Sequence, residues 1–263
     1  MVQAGSALEL PGLTPPLQRV PGPGPAALRE AAGRAASQTR LILLRHGDPA
    51  WTAADGLSSD DPGLTVFGQR QAEAAATRLA QEGVDAIYVS PLRRCQETAI
   101  PIAAQTGIEP VTVDGLAEIA VALGGLTQED VDRYFVEAAQ RPLEEHWSGW
   151  PGAEPFMDFH ARITSSIGEI LGRHGIRERR SDDFKLWDLG AESPTLLVVA
   201  HGGSNAVALT HLLDIRPLPW EWIRFESELA SYSVSRARPM GPHGHVWSLQ
   251  NFNEVDHLKN VTS

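Results

Sequence analysis

The sequence predicts an α/β protein, a three-layer sandwich with a mostly parallel central sheet, helices on both faces and a small inserted cap region. Three observations carry this expectation. Leu41-Ile42-Leu43-Leu44 and Thr195-Leu196-Leu197-Val198-Val199-Ala200 are short unbroken apolar runs, the pattern of strands buried on both faces. Each passes directly into a polar, glycine-bearing turn, Arg45-His46-Gly47 in one case and His201-Gly202-Gly203 in the other. Strand-like runs then alternate with helix-period segments along the chain, which is the arrangement of parallel sheets covered on both faces.

In chain order, residues 1–38 are rich in Pro, Gly and Ala, as in Pro21-Gly22-Pro23-Gly24-Pro25, and cannot form a core alone. They are expected to be a flexible arm, with Ala26 to Ala36 able to make a short helix. Residues 39–263 are expected to form the domain. After the opening strand comes a loop from Asp48 to Gly63 that contains Trp51. Thr65 then N-caps a helix whose apolar side includes Leu64, Phe67, Ala74, Ala75 and Leu79. Ala86 to Val89 reads as a second strand. Ser90-Pro91 opens the next helix, with Pro91 at its first position and Arg93, Arg94 and Cys95 along it to Gln105.

Pro110 to Val113 is expected as a third strand leading to Glu118, and Thr127 to Gln140 as a helix opened by Thr127. A cap insertion is placed at about 119–155, its last part, Arg141 to Pro155, irregular. Phe156 to Arg173 is an amphipathic helix. Residues 175–194 read as a charged surface loop. Asn205 to Leu213 continues as a helix, and Leu229 to Ala237 with His245 to Phe252 as a late hairpin.

Composition narrows the function. The chain has 263 residues, 22 basic and 33 acidic, for a net charge of -11. That balance argues against nonspecific nucleic-acid binding and against an anionic membrane surface. One cysteine, Cys95, excludes an intramolecular disulfide. No stretch is apolar enough to span a bilayer and no secretory signal opens the chain, so a soluble, cytoplasmic protein is expected.

In a parallel sheet, His46 and His201 emerge at the same edge, where open α/β sheets bind ligands. Such a pair could bind metal, act as a nucleophile and its partner, or be unrelated. Metal is disfavoured: the chain has neither His-x-x-x-His nor a second cysteine, and Arg45 would repel a cation. Arg45 and Arg94 instead suit phosphate oxygens, and the helix after Ser204 would favour an anion at its start. Adjacent helical residues point apart, so only one of Arg93 and Arg94 can face this edge; the spacing favours Arg94. Glu118 follows another strand and could move a proton.

The motifs together resemble the histidine phosphatase superfamily, in its phosphoglycerate-mutase-like branch. Arg45-His46-Gly47 matches its signature, and Leu64-Thr65, Gly68, Gln71 and Ala72 its following helix. Ser90 to Ala99 resembles the second motif, with Arg94 at the arginine position. Leu116-Ala117-Glu118 resembles the segment that carries the acid, and Val199 to Gly203 the last motif. Asn253-Glu254-Val255-Asp256-His257-Leu258 resembles a frequent C-terminal pattern.

The resemblance implies a histidine acid-type phosphatase, a phosphoric monoester hydrolase. His46 would be the nucleophile and become a phosphohistidine. To attack it must be neutral, with its second ring nitrogen donating to a backbone carbonyl. Arg45, Arg94 and a protonated His201 would hold the phosphoryl oxygens, with Gly202 and Thr52 as further substrate contacts. Glu118 would serve as general acid and then base. No metal or other cofactor is implied. Arg162 is expected to support the site from its helix, and Cys95 to be a packed residue.

Departures from the mutase pattern narrow the substrate. The chain reads Asp48-Pro49-Ala50-Trp51-Thr52 after the signature, and Glu118-Ile119-Ala120-Val121-Ala122 after the acid, so polar, basic and aromatic contacts of mutases are missing. Ile119, Val121, Leu123, Trp147 and Trp150 make the cap more apolar. A phosphatase for a small, partly apolar phosphomonoester is therefore expected. A phosphoglycerate-type mutase and a non-catalytic regulator on the same fold are the alternatives. A phosphoprotein substrate and a homodimer stay open.

Overall fold

The computed structural model describes residues 39–121, 123–181 and 183–262. The arm expected over 1–38 lies outside the described residues. Strand β1 (Arg40–Arg45) sits inside an eight-stranded sheet with β2 (Ala86–Val89), β3 (Val111–Thr112), β4 (Arg177–Ser181), β5 (Phe184–Asp188), β6 (Thr195–Ala200), β7 (Tyr232–Pro239) and β8 (His245–Glu254). The spatial order is β3-β2-β6-β1-β7-β8-β5-β4.

Period-two alternation decides the layers. Leu41 and Leu43 of β1, with Leu196 and Val198 of β6, face one core cluster. There they meet Phe159, Ile163 and Ile167 of helix α4 (Phe156–Arg173) and Val207 and Leu209 of helix α5 (Gly202–Leu212). Ile42, Leu44, Leu197 and Val199 face the opposite cluster. Ala75, Ala76 and Leu79 of helix α1 (Val66–Leu79) and Cys95, Ala99 and Ile102 of helix α2 (Arg93–Thr106) close that side. Helices thus cover both faces, as expected.

The sheet is mixed rather than mostly parallel. Strands β3, β2, β6 and β1 pair in parallel, whereas β1–β7, β7–β8, β8–β5 and β5–β4 are antiparallel. Connection length explains part of the split. Parallel neighbours need a long crossover, while β4–β5 and β7–β8 are joined by short turns that permit only antiparallel pairing.

The charged loop expected at 175–194 is also corrected: it forms the β4–β5 hairpin, which extends the sheet through Trp187 opposite His245. Strand β5 buries Lys185 and Trp187 and exposes Phe184 and Asp188. A lysine on the inner face and a phenylalanine on the outer one disguise the alternation. Charged residues along β4 suit an edge strand.

Thr65 caps α1 as expected, its hydroxyl accepting from Gly68 N at 2.9 Å. Helix α2 begins at Arg93, two residues beyond Pro91. Its first amide is capped from a distance by Asp61 Oδ1, 2.8 Å from Arg93 N. Helix α3 (Gln128–Ala139) is capped by Thr127, and a short helix α6 (Glu221–Arg224) follows α5. Trp150 stacks on Trp222 and Trp147 packs against Phe156, which ties the segment after α3 to the core beneath it. Among the described residues no helix is long and apolar enough to cross a membrane.

Candidate active site

The parallel register sets Arg45 beside Ala200 and Val89 beside Val199. The residues that follow, His46, Ser90 and His201, therefore leave the sheet at one edge. His46 N donates to Ala200 O at 3.0 Å, and His46 O accepts from Ala230 N at 2.9 Å. The turn after His46 requires glycine. A Cβ at Gly47 would lie 2.6 Å from Gly68 O, and one at Gly68 would lie 2.2 Å from Asp48 O. The two backbones touch, which places α1 directly against the His46 turn.

His46 is buried, with Nδ1 2.7 Å from Gly47 O. A carbonyl can only accept, so Nδ1 carries the proton and Nε2 presents its lone pair. Arg94 Nε donates to that Nε2 at 3.3 Å. Burial, with Arg94 and Arg45 nearby, pushes His46 down to about 3. The imidazole is neutral at ordinary pH, and its nucleophilic nitrogen points at a guanidinium.

Arg94 is buried and lies under the half-exposed Trp51, 5.1 Å from the ring centre. Its Nη1 has no hydrogen-bond partner; the nearest carboxylate oxygen, Asp61 Oδ1, is 4.0 Å away. Arg45 donates through Nη1 to Ser227 O, and its Nε is buried without a partner. Buried polar groups are ordinarily satisfied. Two orphaned guanidinium N–H groups, on arginines whose charges both act on His46, make a cradle suited to an oxyanion. Burial lowers both guanidinium pKa values, and Glu118 opposes the shift in each. Arg93 turns outward to Glu97 at 2.7 Å, so Arg94 is the arginine that faces this edge.

His201 is fully buried, with its ring 5.2 Å from that of His46. Its Nε2 meets Ser90 Oγ at 2.7 Å. Burial, His46, Arg94 and Arg45 push its pKa well below the ordinary value. Among these cations, a proton on His201 requires a compensating negative charge nearby.

Glu118 Oε2 accepts from Gly203 N, in the first turn of α5, at 2.8 Å, and Oε1 accepts from Ile119 N at 3.1 Å. Arg162 fixes the carrying turn by donating to Gly115 O and Ala117 O at 3.0 and 2.9 Å. Gly203 leaves room for this carboxylate, since a Cβ would stand 2.4 Å from Glu118 Oε1 and push it aside.

The structure brings together Arg45, His46, Arg94, Glu118 and His201, with Gly202 beside Arg45. Thr52 is not joined to them. It is exposed and bridges Ser58 in a small hairpin, and the residue of that loop that reaches the cluster is Trp51.

Ser90, Trp51, Thr98 and Asp61 were not legible as site residues. Thr98 Oγ1 accepts from Gly47 N at 3.0 Å and donates to Arg94 O at 2.7 Å, coupling the nucleophile turn to α2. Only Ser90 carried a signal, its place at the end of a parallel strand. Cys95 is buried, and burial pushes its thiol up, so it packs as a neutral group. Among the described residues no three His, Cys, Asp or Glu side chains converge as a metal site.

Residues 41–250 match the histidine phosphatase superfamily (branch 1). Phosphoserine phosphatase 1 of Hydrogenobacter thermophilus is 33% identical over 200 residues, covering 74% of this chain and 85% of that protein. A probable phosphoglycerate mutase, GpmB, of Yersinia pestis is 34% identical over 226 residues, covering 83% and 94%. The structure of a mycobacterial glucosyl-3-phosphoglycerate phosphatase aligns with TM-score 0.62 at 26% identity, over 82% of this chain and 98% of that one. By its sequence match, its sheet and its relatives, the chain belongs to branch 1 of the histidine phosphatase superfamily, as an enzyme of the phosphatase or mutase type.

Proposed function

We propose that the protein is a phosphatase that hydrolyses a small, partly apolar phosphomonoester through a phosphohistidine on His46. One observation carries the reading: His46 is neutral, with the Nε2 lone pair 3.3 Å from Arg94 Nε, and both Arg94 and Arg45, whose charges act on it, keep an orphaned N–H group. The lone pair attacks phosphorus in line while the bond to the alcohol oxygen breaks. Arg45 and Arg94 hold the equatorial oxygens. The phosphoryl charge lets His201 take up a proton and join them. Glu118, as the carboxylic acid, protonates the departing oxygen. As the carboxylate it then accepts a proton from the water that cleaves the phosphohistidine, releasing inorganic phosphate.

Hydrolysis is favoured over phosphoryl re-transfer by what surrounds the cradle. Pro49 offers no side-chain donor and makes a backbone bridge to Leu64. Trp51 places a half-exposed indole beside Arg94. This wall suits an apolar alcohol better than a second phosphate. The relatives named as phosphatases support hydrolysis. The GpmB relative keeps a mutase as the second reading.

The test is turnover of para-nitrophenyl phosphate and of a panel of phosphomonoesters by wild type and His46→Ala. Wild-type hydrolysis insensitive to EDTA, an acid-labile phosphoenzyme and loss of both in His46→Ala are expected. Full activity in His46→Ala overturns the mechanism. Phosphoglycerate isomerisation dependent on a bisphosphorylated primer would favour the mutase.

A further inference from the structure

The C-terminal run Asn253 to Leu258 takes no part in the chemistry above, yet it lies against the loop that holds the nucleophile. That loop, 227–231, lies between α6 and β7 and is tied to Arg45 and His46 by three hydrogen bonds. Ser227 O accepts from Arg45 Nη1, Ser231 O accepts from Arg45 N at 2.9 Å, and Ala230 N donates to His46 O at 2.9 Å. Both Arg45 and His46 take their placement partly from it.

The C-terminal run clamps the loop from its other side. His257 Nε2 lies 3.0 Å from Ala230 O, and since the carbonyl only accepts, the imidazole donates. Asn253 Oδ1 accepts from Glu228 N at 2.8 Å. Ala230 is fully buried with φ 56°, and Asn253 has φ 53°. An alanine in the left-handed region is unfavourable and persists only where its surroundings over-determine it. Here that conformation directs the N–H of Ala230 to His46 while its carbonyl meets His257. One strained residue thereby links the C-terminal segment to the nucleophile's backbone.

We infer that His257, assisted by Asn253, is a positioning residue for phosphoryl transfer, holding Arg45 and His46 in register through Ala230. The inference rests on the phosphatase reading. Small displacements of a reacting group reduce rates steeply, so losing the clamp acts on catalysis as well as on stability.

The experiment compares wild type with His257→Ala, His257→Gln and Asn253→Ala. Thermal unfolding, kcat and KM for para-nitrophenyl phosphate and Kd for orthovanadate are measured for each. His257→Ala should stay folded, lose about tenfold in kcat and bind vanadate about tenfold more weakly. His257→Gln retains an N–H donor and should recover most of both. Asn253→Ala should show a smaller loss of the same kind, and it carries the test if His257→Ala does not fold. Lowered stability with wild-type kcat and vanadate affinity in the folded variants would make the clamp merely structural and overturn the inference. A wild-type protein inert to phosphomonoesters and to vanadate would instead overturn the phosphatase reading, and this inference with it.

Discussion

Arg94 Nε donates to His46 Nε2 across 3.3 Å, occupying the lone pair that would attack phosphorus. The guanidinium therefore serves the nucleophile twice. Its charge adds to burial in holding the imidazole neutral, and it is already at the place where a phosphoryl oxygen would arrive. Lysine keeps the charge but not the planar fork. Arg94→Lys should lower kcat/KM by about a hundredfold, the usual effect of removing one transition-state donor. Steady-state kinetics on para-nitrophenyl phosphate would check this, and a loss under tenfold would contradict it.

Gly203 and Glu118 are as closely fitted. A methyl group at Gly203 would stand 2.4 Å from Glu118 Oε1, so Gly203→Ala must displace the carboxyl. The effect should depend on the leaving group. Aliphatic phosphates need a proton on departure and should lose about a hundredfold in kcat/KM, which reports ester cleavage and not the later hydrolysis common to both, whereas para-nitrophenolate leaves unassisted and should lose much less. Equal losses on both esters would show that Glu118 is not the acid.

Acid should destabilise the fold through its buried and partly buried histidines. His46 and His211 are pushed down to about 3, and His201 well below its ordinary value, chiefly by burial. Unfolded histidines titrate near 6.5. Between about 6.5 and 3 the unfolded chain therefore binds protons that the native state does not, and stability rises with pH. It is full above about 6.5 and is lost as pH falls toward 3. The urea midpoint at pH 4.5 should lie well below that at pH 7; an unchanged midpoint would refute the assignment.

Thr65 accepts from Gly68 N at 2.9 Å and donates to Asp48 Oδ2 at 2.7 Å, so one hydroxyl caps α1 and anchors the turn after His46. Thr65→Ala should cost about 1 kcal/mol of stability from the cap. Urea unfolding would measure it, and a variant as stable as wild type would argue that water replaces both bonds.

Much of the scaffold was legible in the chain itself. The apolar runs before His46 and His201, the Thr65 cap and the ordered motifs depend on residues a few positions apart, and periodicity reports them directly. That both histidines leave the same sheet edge followed from two buried strands of one type. Beyond the parallel β1, β2, β3 and β6, only the antiparallel β7–β8 hairpin was legible; the β1–β7, β8–β5 and β5–β4 pairings were not, because they depend on where each turn brings the chain back. Lys185 on the inner face of β5 hid a strand that its partners accept.

The site divides in the same way. Arg45, His46, Arg94 and His201 each lie at or just past the end of a strand or in a first helical turn, where local pattern points, and Glu118 follows the short turn Asp114–Leu116 after β3. The Asp61 cap on α2, Trp51 over Arg94, Thr98 between Gly47 and Arg94 and His257 behind Ala230 join residues from distant parts of the chain. Sequence by itself determined which groups could meet a phosphate. Only the tertiary structure decided their charge, since burial among other cations sets the protonation of His46 and His201, and burial exists only once the chain has folded.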